Sequence, residues 1–435
     1  MCLFSMMFVI LAYLSEVTSI RIGAPVKAHT CTQLLNNASF FSVQVELGTP
    51  PQQLALIVDT GSAPIVVTSC ACTAKHQCAE GNCFDRNKSS SFISTTDSLT
   101  SLYYGSGAIT CKLASERVRL AQYETQAEDD ITLAMDLREL RFEGTFEGIM
   151  GLGTPNGKEK RQLFTTMANV DRFGVCFNLG DGAQGALHLN NPLGKAPQLH
   201  SIGKLHWSLE LQSVSIGKFE AGTVSHRGVA TSPVPVCGAV EKNENYTFAC
   251  AAIFDSGTTF ILAPEREIEA LQNSLCAQWP RCSALVPKHG NGAFHHVLQR
   301  CGSWLGESRG LNEVPSLFFH VAGQNGQEQL LELPPWTWIY ESQGSCYIGI
   351  EAFTHESEQS KNVWILGSAV YYSYFVSFDL GLESLSFTRE PCRRCGDEDH
   401  TWKESKLVST STMYPRRMHL AKPRYPSYSA NNFVF

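Results

Sequence analysis

Long apolar runs are missing from this 435-residue chain. The run nearest its start, Met6-Met7-Phe8-Val9-Ile10-Leu11-Ala12-Tyr13-Leu14, falls well short of the roughly 20 apolar residues that a membrane-spanning helix needs. No later segment is long and apolar enough, so no transmembrane anchor is expected. Positive charge is scarce: 34 Lys and Arg against 41 Asp and Glu leave a formal net charge of −7. That balance argues against nucleic acid as a partner. Helical periodicity is rare as well, its better cases lying at 265–275 and around 162–170. A mainly β protein follows from that scarcity.

Cysteine, by contrast, is plentiful. Sixteen are far more than a cytosolic enzyme usually carries. Val17 and Ser19 stand at the −3 and −1 positions of a cut before Ile20, so residues 1–19 read as a signal peptide, although they contain no Lys or Arg. Removing Cys2 with it leaves fifteen cysteines for an oxidising compartment. Sequons at Asn37, Asn87 and Asn245 are glycosylation candidates that fit the same route. The secretory pathway is expected, with a secreted or lumenal destination such as a lysosome-like or vacuole-like space.

Short strand patterns dominate beyond residue 37. Phe41-Ser42-Val43-Gln44-Val45-Glu46-Leu47 alternates apolar and polar and ends at the turn Gly48-Thr49-Pro50-Pro51. Residues 54–58 form a continuous apolar run, as in a strand buried on both faces. Similar runs recur at 173–179, 186–189, 209–216, 251–254, 317–321, 363–366 and 375–378. An internal repeat organises them. LIVDTGSA, containing Asp59, is matched by AIFDSGTT, containing Asp255. Each copy is followed about a hundred residues later by an apolar-apolar-Gly element, GIMG ending at Gly151 and WILG ending at Gly367. Two similar lobes across a cleft are expected, divided near Gly203 into 20–203 and 204–390. Residues 391–435 carry eight basic and four acidic side chains and read as a largely disordered tail.

An Asp at the end of a buried strand, followed by a hydroxyl residue and Gly, has a chemical logic. The strand delivers a carboxylate into a desolvated place, Gly permits the sharp turn, and the hydroxyls tune its pKa. One copy is a capped turn. Two copies in equivalent positions point to paired carboxylates that share one proton, so that one acts as base and the other as acid. Such a pair hydrolyses amides with bound water and calls for no cofactor or metal.

The motifs VDTGSA, YYGSG, FEGIMGLG, IFDSGTT and WILG occur in the order found in the pepsin family, which the chain resembles over roughly 38–390. The resemblance implies a bilobal pepsin-like fold, with two similar β-rich lobes flanking a substrate cleft. It also implies an aspartic endopeptidase acting on peptide or protein substrates, and a monomer. By it Asp59 and Asp255 are the catalytic pair. Thr60 and Ser256 are the buried hydroxyls that cross-link the loops, Ser62 and Thr258 the outer hydroxyls, and Gly61 and Gly257 the exposed backbone. Tyr104, Gly105 and Ser106 belong to a flap over the cleft. Thr259 is counted with the substrate-facing residues. Ile57, Phe146 and Ile149 form the apolar pocket for the residue before the cut, with a plain core role as the alternative.

The same resemblance pairs Cys301 with Cys346; Cys237 and Cys250 straddle the approach to Asp255, and Cys276 with Cys282 would close a short loop. The cluster Cys70, Cys72, Cys78 and Cys83, with FDRNKSSSF after it, is similar to the insertion of nepenthesin-like and plasmepsin-V-like enzymes. Disulfides are expected there, with zinc as the alternative. Cys176 is expected to be the thiol left over. Cys392 and Cys395 are read as a disulfide or a tie to Cys31, with redox or metal chemistry open. Two features depart from the family. Only about forty residues separate the signal cut from Asp59, so an inhibitory prosegment is not expected. Val66 stands where the family usually carries Trp. The rival reading is a catalytically inactive peptide-binding or inhibitor protein on the same fold, which typically loses an Asp or its hydroxyl.

Overall fold

The computed structural model describes residues 28–396, except 79–80, 127–129, 141–144, 156–161, 181, 218–230, 239–245, 308–309, 355 and 358. The signal segment 1–19, Asn245 and residues 397–435 therefore lie outside the described residues. The first half contributes β1 (Thr30–Asn36), β2 (Phe41–Leu47), β3 (Gln52–Asp59), β4 (Ile65–Thr68), β5 (Thr100–Tyr104), β6 (Gly107–Ser115), β7 (Asp130–Asp136), β8 (Gly148–Gly151), β9 (Arg172–Cys176) and β10 (Gly185–Leu189). The second contributes β11 (Ser208–Gly217), β12 (Cys250–Phe254), β13 (Ile261–Ala263), helix α1 (Glu265–Gln278), β14 (Ser316–Ala322), β15 (Glu328–Leu333), β16 (Ile350–Ala352) and β17 (Asn362–Leu366). Helix α2 (Ser368–Ser373), β18 (Phe375–Asp379) and β19 (Ser384–Thr388) follow.

The mainly β, pepsin-like architecture is present, and the internal repeat has a structural counterpart. In the first sheet β8 lies between β3 and β4, parallel to β3 and antiparallel to β4, while β4 runs parallel to β7. In the second sheet β17 lies between β12 and β13 in the same senses, and β13 runs parallel to β16. The apolar runs make this possible. Leu54, Leu56, Val58 and all of β12 are buried, as a central strand covered on both faces requires.

The sheets do not divide at Gly203. Strands β18 and β19 return to the first sheet, where Phe173 pairs with Phe378 and Phe375 with Thr388. Trp207 is fully buried at this seam, edge-on to Phe173, and donates its indole N–H to the Leu152 carbonyl at 2.9 Å. Burying side chains of this size stabilises the fold by roughly 1.5–3 kcal/mol each. Arg389, just past β19, binds the buried Glu332 on β15 at 2.5 Å and so ties the two sheets together.

Helix α1 was legible because Ile268, Leu271, Leu275 and Cys276 fall on one face, with Glu265 and Glu267 in its first turn. The reading at 162–170 reduces to one turn, Phe164–Met167. Pro280–Ser283, Val286–His289 and Ala293–Leu298 are further short helices that periodicity cannot register, since each spans about one turn.

The cysteine reading needs one correction. Cys176 is not a free thiol: it is bonded to Cys392, and Cys395 is bonded to Cys31. Among the described residues the cysteine outside the disulfides is Cys111, buried on β6, where its thiol donates to the Thr100 carbonyl at 3.5 Å. Because β9 pairs with β18, the chain brings Cys392 back beside Cys176 from 216 residues away. The tail is corrected at its start for the same reason, since two disulfides fasten Cys392 and Cys395 to the first sheet. The other bonds are Cys70–Cys83, Cys72–Cys78, Cys237–Cys250, Cys276–Cys282 and Cys301–Cys346. With its four cysteines paired, the first cluster offers no thiolates for zinc.

Candidate active site

β3 ends on Asp59, and Asp255 follows β12 directly. Ladder partners hold both at matching depth. The Leu152 N–H donates to the Asp59 carbonyl at 2.7 Å, and the Asp255 N–H to the Leu366 carbonyl at 3.2 Å. The two loops then interlock. Thr60 and Ser256, both buried, exchange bonds: the Thr60 N–H donates to Ser256 Oγ at 3.0 Å and the Ser256 N–H to Thr60 Oγ1 at 2.9 Å. Each hydroxyl passes its own proton onward, Thr60 to the Phe254 carbonyl at 2.8 Å and Ser256 to the Val58 carbonyl at 2.7 Å. These are hydroxyls in a dry place with donor and acceptor capacity in use, which the Ser or Thr at this position makes possible.

The carboxylates have matching donors. Gly61 N–H and the Ser62 hydroxyl bind Asp59 at 2.9 and 2.5 Å, while Gly257 N–H and the Thr258 hydroxyl bind Asp255 at 2.8 and 2.5 Å. The glycines are required by proximity. A Cβ on Gly61 would sit 2.6 Å from Asp255 Cγ, and one on Gly257 would sit 2.5 Å from Asp59 Oδ1. Burial, with the Asp255 charge second, raises the Asp59 pKa well above its usual range. A hydrogen bond with the Asp255 side chain raises it further, against the lowering effect of Ser62 and Gly61. The arrangement is a carboxyl holding a proton beside a second carboxylate, which is what water-mediated acid–base work needs.

The hairpin of β5 and β6 closes through Gly105 and Ser106, with Tyr104 paired to Gly107. Tyr103 is 49% exposed, whereas Tyr104 and Leu102 pack on an apolar cluster containing Ile57, Val66, Ile109, Phe146 and Ile149. The three proposed pocket residues are thus together, beneath the hairpin. Val66 is fully buried among them, and the Thr68 hydroxyl is used by the Phe146 carbonyl at 3.1 Å. Thr259 bonds the Ser39 carbonyl at 2.6 Å, a link between the halves.

Two neighbours of the loops escaped the sequence reading. Tyr371 on α2 is fully buried, and its hydroxyl lies 3.0 Å from Thr60 Oγ1. Since the Thr60 proton goes to Phe254, the phenol is the donor. His206 places Nδ1 3.0 Å from the Gly61 carbonyl. Nothing in the local sequence marks either one, because both depend on the return of distant segments.

Residues 40–390 match a model of the family described as Eukaryotic aspartyl protease. Gastricsin of Mus musculus is 24% identical over 360 residues, covering 79% of this chain and 79% of that protein. Pepsin A of Suncus murinus is 26% identical over 344 residues, 78% of this chain and 77% of its own. Pregnancy-associated glycoprotein 1 of Ovis aries is 24% identical over 354 residues, 79% and 80% respectively. With the match running through both doubled loops and the hairpin over them, the chain belongs to the eukaryotic aspartyl protease family and is an aspartic-type peptide hydrolase.

Proposed function

We propose that Asp59 and Asp255 are the catalytic pair of this endopeptidase. The observation that carries the reading is the interlocked pair of loops, which sets two carboxyls in hydrogen-bond contact, each with its own N–H and hydroxyl donors. With Asp59 holding the proton, Asp255 takes one from a water between them as that water attacks the scissile carbonyl. Asp59 donates to the carbonyl oxygen, giving a tetrahedral diol. A proton then passes to the leaving nitrogen as the C–N bond breaks, with no covalent enzyme intermediate.

Tyr104, Gly105 and Ser106 act as the lid that excludes water and positions the peptide. Ile57, Phe146 and Ile149 supply the pocket beneath it, and Thr259 lies at its far border. Both carboxylates come from one chain, so the enzyme works as a monomer. Seven disulfides among the described residues support a setting in the secretory pathway or outside the cell. Asn37 and Asn87 are exposed and available there to carry glycans. Asp59→Asn and Asp255→Asn should each lower hydrolysis of a protein substrate by roughly 10²–10⁴-fold or more, with the fold retained by circular dichroism. Turnover near the wild-type value in either variant would falsify the assignment.

A further inference from the structure

The disulfide Cys31–Cys395 differs from the others in what touches its sulfur. Strand register sets Cys31 of β1 opposite His188 of β10, and His188 Nε2 lies 3.4 Å from Cys31 Sγ. On its other side His188 Nδ1 lies 2.9 Å from Nε2 of His29, whose ring is stacked on its own with centroids 5.1 Å apart. Among the described residues no imidazole bonds a sulfur of any other bridge.

Valence fixes the protons. A disulfide sulfur carries no hydrogen, so His188 Nε2–H donates and Cys31 Sγ accepts. Burial, then the charge of His29, lowers the His188 pKa to about 4, so above that pH its ring is neutral and Nδ1 accepts from His29 Nε2. The remaining neighbours carry no charge: Phe375 of β18 stands edge-on at 5.1 Å, and β9 offers Gly174 at the paired position. His29 is exposed, so the two rings run from water to the half-buried sulfur of Cys31. Such a relay suits thiol–disulfide exchange, in which an attacking thiolate expels the second sulfur and the reaction quickens as that leaving sulfur is stabilised. The stretch 390–396 supplies the attacking side, since Glu390 is outnumbered by the exposed Arg393 and Arg394 directly before Cys395. A net positive charge there draws an anionic thiol to Cys395.

We propose that Cys31–Cys395 is an exchange site for a small anionic thiol of the glutathione class. The incoming thiolate sulfur bonds Cys395 Sγ, and the bond between the two cysteines breaks with its electron pair leaving on Cys31. As it leaves, His188 Nε2–H passes its proton to Cys31, and His29, in its imidazolium form, passes one to His188 Nδ1. Water returns to His29 the proton that the attacking thiol gave up on ionising. The incoming sulfur is oxidised and Cys31 is reduced, leaving a mixed disulfide at Cys395 and a thiol at Cys31. Cys392 stays bonded to the buried Cys176, so the exchange removes the covalent tie only beyond Cys392.

Reduced glutathione added to the full oxidised protein tests it, with an alkylating quench and peptide mass mapping, on either side of the ordinary imidazole pKa of about 6.5. Glutathione should appear on Cys395, and the alkyl label on Cys31, at least about tenfold sooner than at any other bridge. His29→Gln is an exposed change that keeps a donor to His188 but has no proton to pass on. It should slow this bridge about tenfold at the lower pH, less at the higher pH where imidazoles are neutral, and leave the other bridges at their wild-type rates. His188→Phe should slow it at both pH values. Arg393→Gln with Arg394→Gln should erase the lead of glutathione over the neutral thiol 2-mercaptoethanol. Label spread evenly over the bridges overturns the proposal, as does glutathione on Cys31, or a His29→Gln rate equal to wild type at the lower pH. Peptide hydrolysis plays no part in the readout, so the result bears on this disulfide and not on the dyad.

Discussion

On one side of the cleft, Thr60 accepts bonds from the Ser256 N–H and the Tyr371 phenol, Asp59 is buried, and Ile57 and Ile149 pack beneath a hairpin. On the other, Ser256 makes the reciprocal bonds and Asp255 is more open to solvent. The inner parts of these halves are alike because two carboxyls must meet within hydrogen-bond reach, which leaves little freedom in strand order, glycine or hydroxyl. Constraint weakens outward along each sheet. There the copies have diverged, the first into an apolar pocket beneath the hairpin. On the proposed reading the duplicated features carry the chemistry, and the differences carry the roles within it.

The severest way to break the likeness is to crowd the loops. Alanine at Gly257 brings a Cβ to 2.5 Å from Asp59 Oδ1, and at Gly61 to 2.6 Å from Asp255 Cγ. The carboxyls must then move by about an ångström, a displacement worth 10²-fold or more in rate. Gly257→Ala and Gly61→Ala should each lose at least that much kcat while still unfolding cooperatively. Should one variant stay near wild type, the loops are not equivalent.

A smaller effect separates the cleft from the outer face of the first sheet. The folded pKa of Asp59 lies above its unfolded value, near 3.8, so the folded protein holds a proton that the unfolded chain releases. Stability from this group is therefore lost as pH rises above about 3.8. His188 on β10 does the opposite. Burial, then the charge of His29 at 2.9 Å, lowers its pKa to about 4, with the Cys31–Cys395 disulfide and Phe375 as its other neighbours. Between pH 6.5 and about 4 the unfolded chain takes up that proton first, so stability is lost as pH falls. Relative to wild type, His188→Phe should gain about 2–4 °C in melting temperature as pH drops through that window. Asp59→Asn should gain as pH rises instead. Parallel curves for all three proteins would show that neither group is linked to folding.

Much of this site is legible in the sequence, for a chemical reason. A buried strand ending in Asp, then a hydroxyl residue and Gly, leaves its whole requirement in eight residues, and here it is written twice. The hairpin was legible because alternation and Gly105-Ser106-Gly107 are local signals. Close cysteines such as Cys276 and Cys282 could be paired on sight. Cys176 could not, since its partner arrives from 216 residues away on the strand pair β9–β18.

The finest probe of the comparison is the extra phenol on the Asp59 side. Thr60 Oγ1 donates to Phe254, accepts from Ser256 and takes a third bond from Tyr371. Burial raises the phenol pKa far above its usual value, so it stays a neutral donor at every working pH. Its backbone carbonyl accepts from the Phe177 N–H at 2.9 Å, and its ring lies 5.2 Å from that of Phe177. Phenylalanine would keep the ring contacts and remove one oxygen. The Thr60 hydroxyl would retain both of its cross-loop bonds, so we expect a stability loss of about 0.5–1.5 kcal/mol. kcat should fall by a factor of about 2–10 with KM unchanged, because the loop geometry, rather than the peptide contacts, is what loosens. Ser256→Ala removes two of the four cross-loop bonds and should cost more on both measures. If Tyr371→Phe instead raised KM and left kcat alone, the phenol would act on the substrate's side of the cleft and not through Thr60.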